Sequence, residues 1–127
     1  MLLLFIAAGG ALGALARYGL AGWVHGWAGA SFPWGTLVVN ALGSLALGVA
    51  IRVLEGTAAT AGTRAFVAVG FLGAFTTFST FSYEAVALLQ GGEWLRATTY
   101  ALGSLLSGVI GVIMGFALAA AILRHGG

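Results

Sequence analysis

The sequence predicts an all-α integral membrane protein with four transmembrane helices. Three observations carry that expectation. Only 6% of the 127 residues are charged and 61% are hydrophobic. A soluble domain carries about 25% charged residues, so this chain lacks the groups to cover a water-facing surface. Four apolar runs each reach the roughly 20 residues that a helix needs to cross a hydrocarbon core of about 30 Å. None of them has the two-residue alternation of a barrel strand, and lipid tolerates no other spanning backbone. The whole chain reads as one domain, 1–127.

The first helix is expected over about 2–24. Its start, MLLLFIAAGG, has no basic n-region and continues well past a short h-region, so it is expected to be retained. The second, about 36–54, follows SFPWG, a turn with the only proline. The third, about 63–89, follows the small polar stretch EGTAATAGT. The fourth, about 95–123, follows the tight turn QGGEW.

With four crossings both termini share one side, which also receives Arg52, Arg64 and Arg124. Arg96 falls on the other side, and Arg17 lies within the first helix toward it. This asymmetry favours cytoplasmic termini. Trp23, Trp27, Trp34 and Trp94 all fall near that second side. Aromatic belts normally flank both interfaces. Two copies inserted in opposite directions would restore both belts through an isologous interface.

Glycine is abundant, with 22 residues, and in lipid small residues let helices approach closely. In the fourth helix Gly103, Ser107, Gly111 and Gly115 recur every four residues, beside a row of Tyr100, Ser104 and Gly108. Gly9 and Gly13 in the first helix, and Gly43, Ser44 and Gly48 in the second, are similar. These rows serve either the monomer's own packing or a dimer face.

Polar residues inside apolar runs are costly. An arginine at the centre of a membrane helix costs about 2.5–3.5 kcal/mol on insertion scales. Arg17 either snorkels or stands as a fixed positive charge beside an aqueous vestibule, raising the local anion concentration. Asn40 either bonds to a neighbouring helix or presents its amide to a water-filled path. Glu84 shares a face with Thr76 and Thr80 if that segment is helical. It lies at the depth of Arg17, so a structural ion pair is the plainer expectation. His25 and His125 are isolated, so metal ligation through them is not expected. There are no cysteines, and no nucleophile–base constellation or phosphate loop suggests an enzyme. Nothing points to nucleic acid.

The densest polar cluster is GFLGAFTTFSTFSYE, residues 70–84. Gly70, Gly73 and consecutive β-branched residues favour a break near the middle of the third helix. A break frees backbone carbonyls that can coordinate a cation. The triplets Thr77-Phe78-Ser79 and Thr80-Phe81-Ser82 offer hydroxyls that donate to an anion and phenyl rings with positive edges. Alternatively, the hydroxyls bond preceding carbonyls and the rings fill space. Together these features suggest a path for a small anion beside a cation site.

Over nearly its whole length the chain resembles the Fluc fluoride channels, also called CrcB proteins. GTLVVN entering the second helix and G-x-x-G-x-x-TTFSTFS-x-E in the third carry the resemblance. It implies an antiparallel, dual-topology homodimer in the cell inner membrane. Two pores per dimer would passively export fluoride, around a structural sodium ion at the dimer centre. By position it implies Asn40, Phe78, Phe81, Ser79, Thr80, Glu84, Tyr100 and Ser104 along the fluoride path, and Arg17 as a vestibule charge. The backbone carbonyls of Gly73 and Thr76 would hold the sodium. Gly108 departs from the serine common at its place on the fourth-helix track. Two other readings are a small proton-coupled multidrug exporter and a non-transporting assembly subunit. The exporter class requires a glutamate in its first helix, where this chain has Arg17. The subunit reading gives the hydroxyl and phenylalanine cluster no purpose.

Overall fold

The computed structural model describes all residues, 1–127, and contains no strand. Four segments are long and apolar enough to cross a membrane: α1 (Leu2–Ala28), α2 (Trp34–Glu55), a composite third span (Ala61–Gln90) and α6 (Trp94–His125). At about 1.5 Å per residue, α1, with 27 residues, is some 40 Å long. It runs past the expected boundary through HGWA, residues 25–28, whose mixed character hides the helix from an apolar-run criterion. Gly29 ends it at φ 82°, and Gly92 makes the last turn at φ 75°, both left-handed values that glycine adopts without a Cβ clash.

The third span is built from four pieces. α3 (Ala61–Arg64) is one turn, started by Thr60, whose hydroxyl accepts from the Thr63 N–H at 3.1 Å. It widens into a π-helical segment (Ala65–Leu72), then returns to a short turn, α4 (Gly73–Phe75). Thr76 is extended, at φ −84° and ψ 157°. α5 (Ser79–Gln90) then carries the span onward. No pattern in the sequence marks the π-helical widening, because AFVAVGFL is apolar on every face.

Backbone-to-backbone proximity determines the packing. α1 lies along the π-helical segment, and α2 lies along α6 in the most extensive contact of the fold. A Cβ at Gly13 would strike the carbonyl of Phe71, and one at Gly70 would sit 2.7 Å from the carbonyl of Ile6. On the other side, a Cβ at Gly48 would lie 2.5 Å from the carbonyl of Val112, and Gly115 closes against Leu45. The expected glycine ridge of the fourth helix therefore divides. Gly111 and Gly115 pack against α2, whereas Gly103 has no atom within 4 Å of where a Cβ would stand. The buried core is small and includes Val39, Leu72, Phe75, Tyr100 and Ala119.

The turns at each end are tied together. Arg64 donates to the carbonyl of Leu54 at 2.6 Å and to that of Ala59 at 3.4 Å, holding the 56–60 turn to the end of α2. At the opposite end Arg96 donates to the carbonyl of Ser31 at 3.4 Å and pairs with Glu93 at 3.7 Å. All four tryptophans are exposed at or near this second end.

Gly13→Val forces a branched side chain into a backbone carbonyl and is expected to lower stability by at least the ~1–3 kcal/mol of ordinary overpacking. Gly22→Val, where nothing stands within 4 Å, is expected to be neutral in packing. Thermal unfolding in detergent distinguishes the two.

Candidate functional site

The site forms where α2 meets the non-helical turn between α4 and α5. Asn40, in the first half of α2, applies its whole amide to the Thr77 residue. Its Nδ2 donates to the Thr77 carbonyl at 2.9 Å, and its Oδ1 accepts the Thr77 N–H at 2.8 Å. A residue outside a helix thus has both of its backbone polar groups satisfied by one side chain. The interhelical role weighed for Asn40 is the one the contacts display, and one amide hydrogen stays free of this clasp.

Thr77 also supports the start of α5. Its hydroxyl accepts the Thr80 N–H at 3.2 Å, satisfying one of the free amides in the first turn of α5, whose N-cap position is Phe78. These two bonds redirect a pair of amides. In a continuous helix the Thr77 N–H would return to the carbonyl of Gly73, and the Thr80 N–H to that of Thr76. Both instead meet side-chain oxygens. Gly73 is exposed and Thr76 partly so. Two carbonyls deprived of their helical donors suit a hard cation, which takes oxygen ligands.

The hydroxyls divide by role. Thr76 donates back to the Leu72 carbonyl at 3.0 Å and Ser82 to the Phe78 carbonyl at 2.9 Å, the local bonding weighed as the alternative to a functional role. Because Thr76 is extended, it does not join the face of Thr80 and Glu84; Thr77 takes that place on the cavity wall. Ser79 and Thr80 are exposed.

A cavity of about 420 Å³ opens between α1, α2 and α5, lined in part by Arg17, His25, Thr36, Thr77, Thr80 and Glu84. The expected ion pair between Arg17 and Glu84 is not formed; the only salt bridge joins Arg96 and Glu93. The carboxylate is instead held by hydroxyls from α2 and α6. Its Oε1 accepts from Thr36 Oγ1 at 2.5 Å and from the Tyr100 hydroxyl at 3.3 Å. Arg17 Nε is buried without a hydrogen-bond partner beside the cavity. A buried donor of this kind calls for an anion or water.

Aromatic rings continue from this point. Tyr100 is fully buried, with the Phe81 ring 5.0 Å away and the Phe32 ring edge-on at 5.5 Å. Phe78 lies 5.8 Å from Phe81 but is 79% exposed. One helical turn beyond Tyr100, Ser104 Oγ is buried and unpartnered. Ser107 turns away and donates to the Ser104 carbonyl at 3.2 Å.

Residue reasoning missed Thr36 and Phe32, and it read Thr77 only as one hydroxyl of a triplet, not as the partner of Asn40. Thr36 had a legible signal, since it lies four residues before Asn40 on the same face of α2. Phe32 had none, because its contact with Tyr100 depends on how the turn before α2 folds back.

The family description "CrcB-like protein, Camphor Resistance (CrcB)" matches residues 4–116. The chain belongs to the CrcB family. A relative in Thermus thermophilus, named fluoride-specific ion channel FluC, is 54% identical over 121 residues, 94% of either chain. A FluC relative in Hahella chejuensis is 48% identical over 122 residues, covering 95% of this chain and 96% of its own. The family resembled through GTLVVN and TTFSTFS is therefore the one to which this CrcB chain belongs.

Asn40→Leu leaves the Thr77 N–H and carbonyl without partners. At about 1–3 kcal/mol for each orphaned buried group, stability should fall by a few kcal/mol and the Thr77 amide should exchange faster with deuterium. Glu84→Gln keeps an oxygen for Thr36 and Tyr100, so it should leave the melting temperature nearly unchanged.

Proposed function

We propose that this CrcB protein is a fluoride-selective channel through which the anion moves passively down its gradient, relieving the cytoplasm of fluoride. It is not an enzyme. One observation carries the reading. Midway along a membrane span, the turn at 76–78 leaves the Phe78 ring and the Ser79 and Thr80 residues exposed, beside an exposed Gly73. Bare polar groups and non-helical backbone at that depth persist only against protein or water. The cavity meets that need beside Thr77 and Thr80, but nothing in a single chain covers Phe78 and Ser79. A second copy in the opposite orientation would, and it would also place tryptophans at both interfaces.

In this reading anions gather in the cavity beside Arg17, whose unpartnered Nε gives a positive potential. The ion then exchanges water for donors in steps: the Thr80 and Ser79 hydroxyls, the spare Asn40 hydrogen, and the positive edges of Phe78 and Phe81. Tyr100 and Ser104 extend the polar track beyond Phe81. Glu84 fixes the Tyr100 hydroxyl through its hydrogen bond. Two such paths arise in an antiparallel dimer in the inner membrane, one for each use of the paired faces. A structural sodium ion at the dimer centre would be held by the Gly73 and Thr76 carbonyls of both copies. When bound, it supplies a fixed positive charge at the centre of the interface.

The test is anion efflux from proteoliposomes, with voltage clamped by a potassium ionophore. Fluoride release with negligible chloride release is expected, and fluoride retention by vesicles holding well-folded dimer would refute the reading. Phe78→Ile and Phe81→Ile remove the ring edges and are each expected to lower the fluoride rate at least tenfold, about 1.4 kcal/mol on the barrier. Arg17→Gln should slow efflux most at low ionic strength, where the charge is least screened.

A further inference from the structure

The ends of α2 and α6 enclose a second cavity, of about 350 Å³, lined by Arg52, Glu55, Gly56, Ala120 and Leu123. It lies at the tip of the apolar α2 span, on the side of the chain that holds both termini. Its two charged side chains have opposite sign and are both exposed, yet they are not ion-paired with each other. The neighbouring polar groups are already engaged. Arg64 donates to the Leu54 carbonyl, Thr57 to that of Val53, and Arg124 to that of Ala120. The Gly56 N–H closes on the carbonyl of Arg52. Neither the Arg52 nor the Glu55 side chain has a hydrogen-bond or ion-pair partner within the chain, although both line the cavity.

Arg52 is also positioned. Its guanidinium stands 5.4 Å over the Phe116 ring, a cation–π contact that orients the planar group and leaves N–H edges free. Glu55 lies at the carbonyl end of α2, where the helix dipole favours a cation. The cavity thus offers a planar donor for a phosphate, an acceptor for an ammonium, and an apolar wall of Leu123 continuing into the membrane span.

We propose that this cavity binds the headgroup of a phospholipid bearing a primary amine, of the phosphatidylethanolamine type. The phosphodiester takes bidentate hydrogen bonds from Arg52, and the ammonium donates to Glu55. The acyl chains lie along α2 and α6. A quaternary choline group keeps the charge but has no N–H to donate to Glu55, and a glycerol headgroup has no positive charge, so each serves the site less well than a primary ammonium. The inference does not depend on which ion the protein conducts.

Native mass spectrometry of the detergent-purified protein tests it. Phosphatidylethanolamine, phosphatidylcholine and phosphatidylglycerol with identical acyl chains are added one at a time. Phosphatidylethanolamine should be retained about tenfold better than the other two, the scale of one charge-assisted hydrogen bond. Glu55→Gln should bring it down to the phosphatidylcholine level. Arg52→Gln should weaken retention of all three, and Arg52→Lys should restore part of it. Arg96→Gln, at the opposite end, should change nothing. Equal retention of the three lipids would overturn the proposal by showing a nonspecific annulus. Preference for phosphatidylglycerol with no effect of Glu55→Gln would overturn it in favour of a plain basic surface. Dissociation of a dimer by Arg52→Gln, without lipid selectivity, would show that a second copy covers the cavity instead.

Discussion

Backbone that leaves a helix at membrane depth must find partners for its polar groups, since hydrocarbon offers none. Here that constraint is met by Asn40 and Thr77. The clasp fixes α2 against the third span and lets the backbone leave helical geometry at Thr76. It also sets Thr77 so that its hydroxyl serves the first turn of α5. The carbonyls of Gly73 and Thr76 lose their usual donors through the same local rearrangement. Each candidate role in this region, for cation or anion, depends on that exchange of backbone for side-chain hydrogen bonds.

The glycines make the clasp reachable. Helices that meet carbonyl to Cα, as α1 does with the π-helical segment and α2 with α6, bring α2 within hydrogen-bonding distance of the turn. Gly43 shows the coupling directly: a Cβ there would strike the Thr76 methyl group and meet the Phe75 ring at 3.1 Å. Packing and site are therefore one arrangement. Gly103, by contrast, takes no part in packing within the chain.

The four spans were legible in the sequence because apolar length is a local property, read without knowing any contact. The ends were less so. HGWA continues α1 as a regular helix although its composition is mixed, and the π-helical widening at 65–72 leaves no compositional trace. The polar cluster at 70–84 was legible as a cluster, but the division of labour within it was not. Whether a hydroxyl bonds back to its own helix, as Thr76 and Ser82 do, or stays open, as Ser79 and Thr80 do, is decided by the extended conformation of one residue. Thr36 was readable in principle, because its i,i+4 relation to Asn40 is visible in GTLVVN.

The unformed Arg17–Glu84 pair carries the most consequence for electrostatics. Two opposite charges lining one cavity attract each other, the more so where they are partly withdrawn from water. Closure would also cancel the field that either one projects. Instead Thr36 and Tyr100 both donate to one carboxylate oxygen and hold Glu84 against α2 and α6. Arg17 is then left with a buried, unshared N–H at the cavity wall. A protein that needed only stability would gain by letting the two charges meet. Keeping them apart costs solvation at both ends, and what it preserves is an unneutralised cation facing a water-accessible space. In the channel proposed above, that charge would draw small anions toward the open hydroxyls of α5.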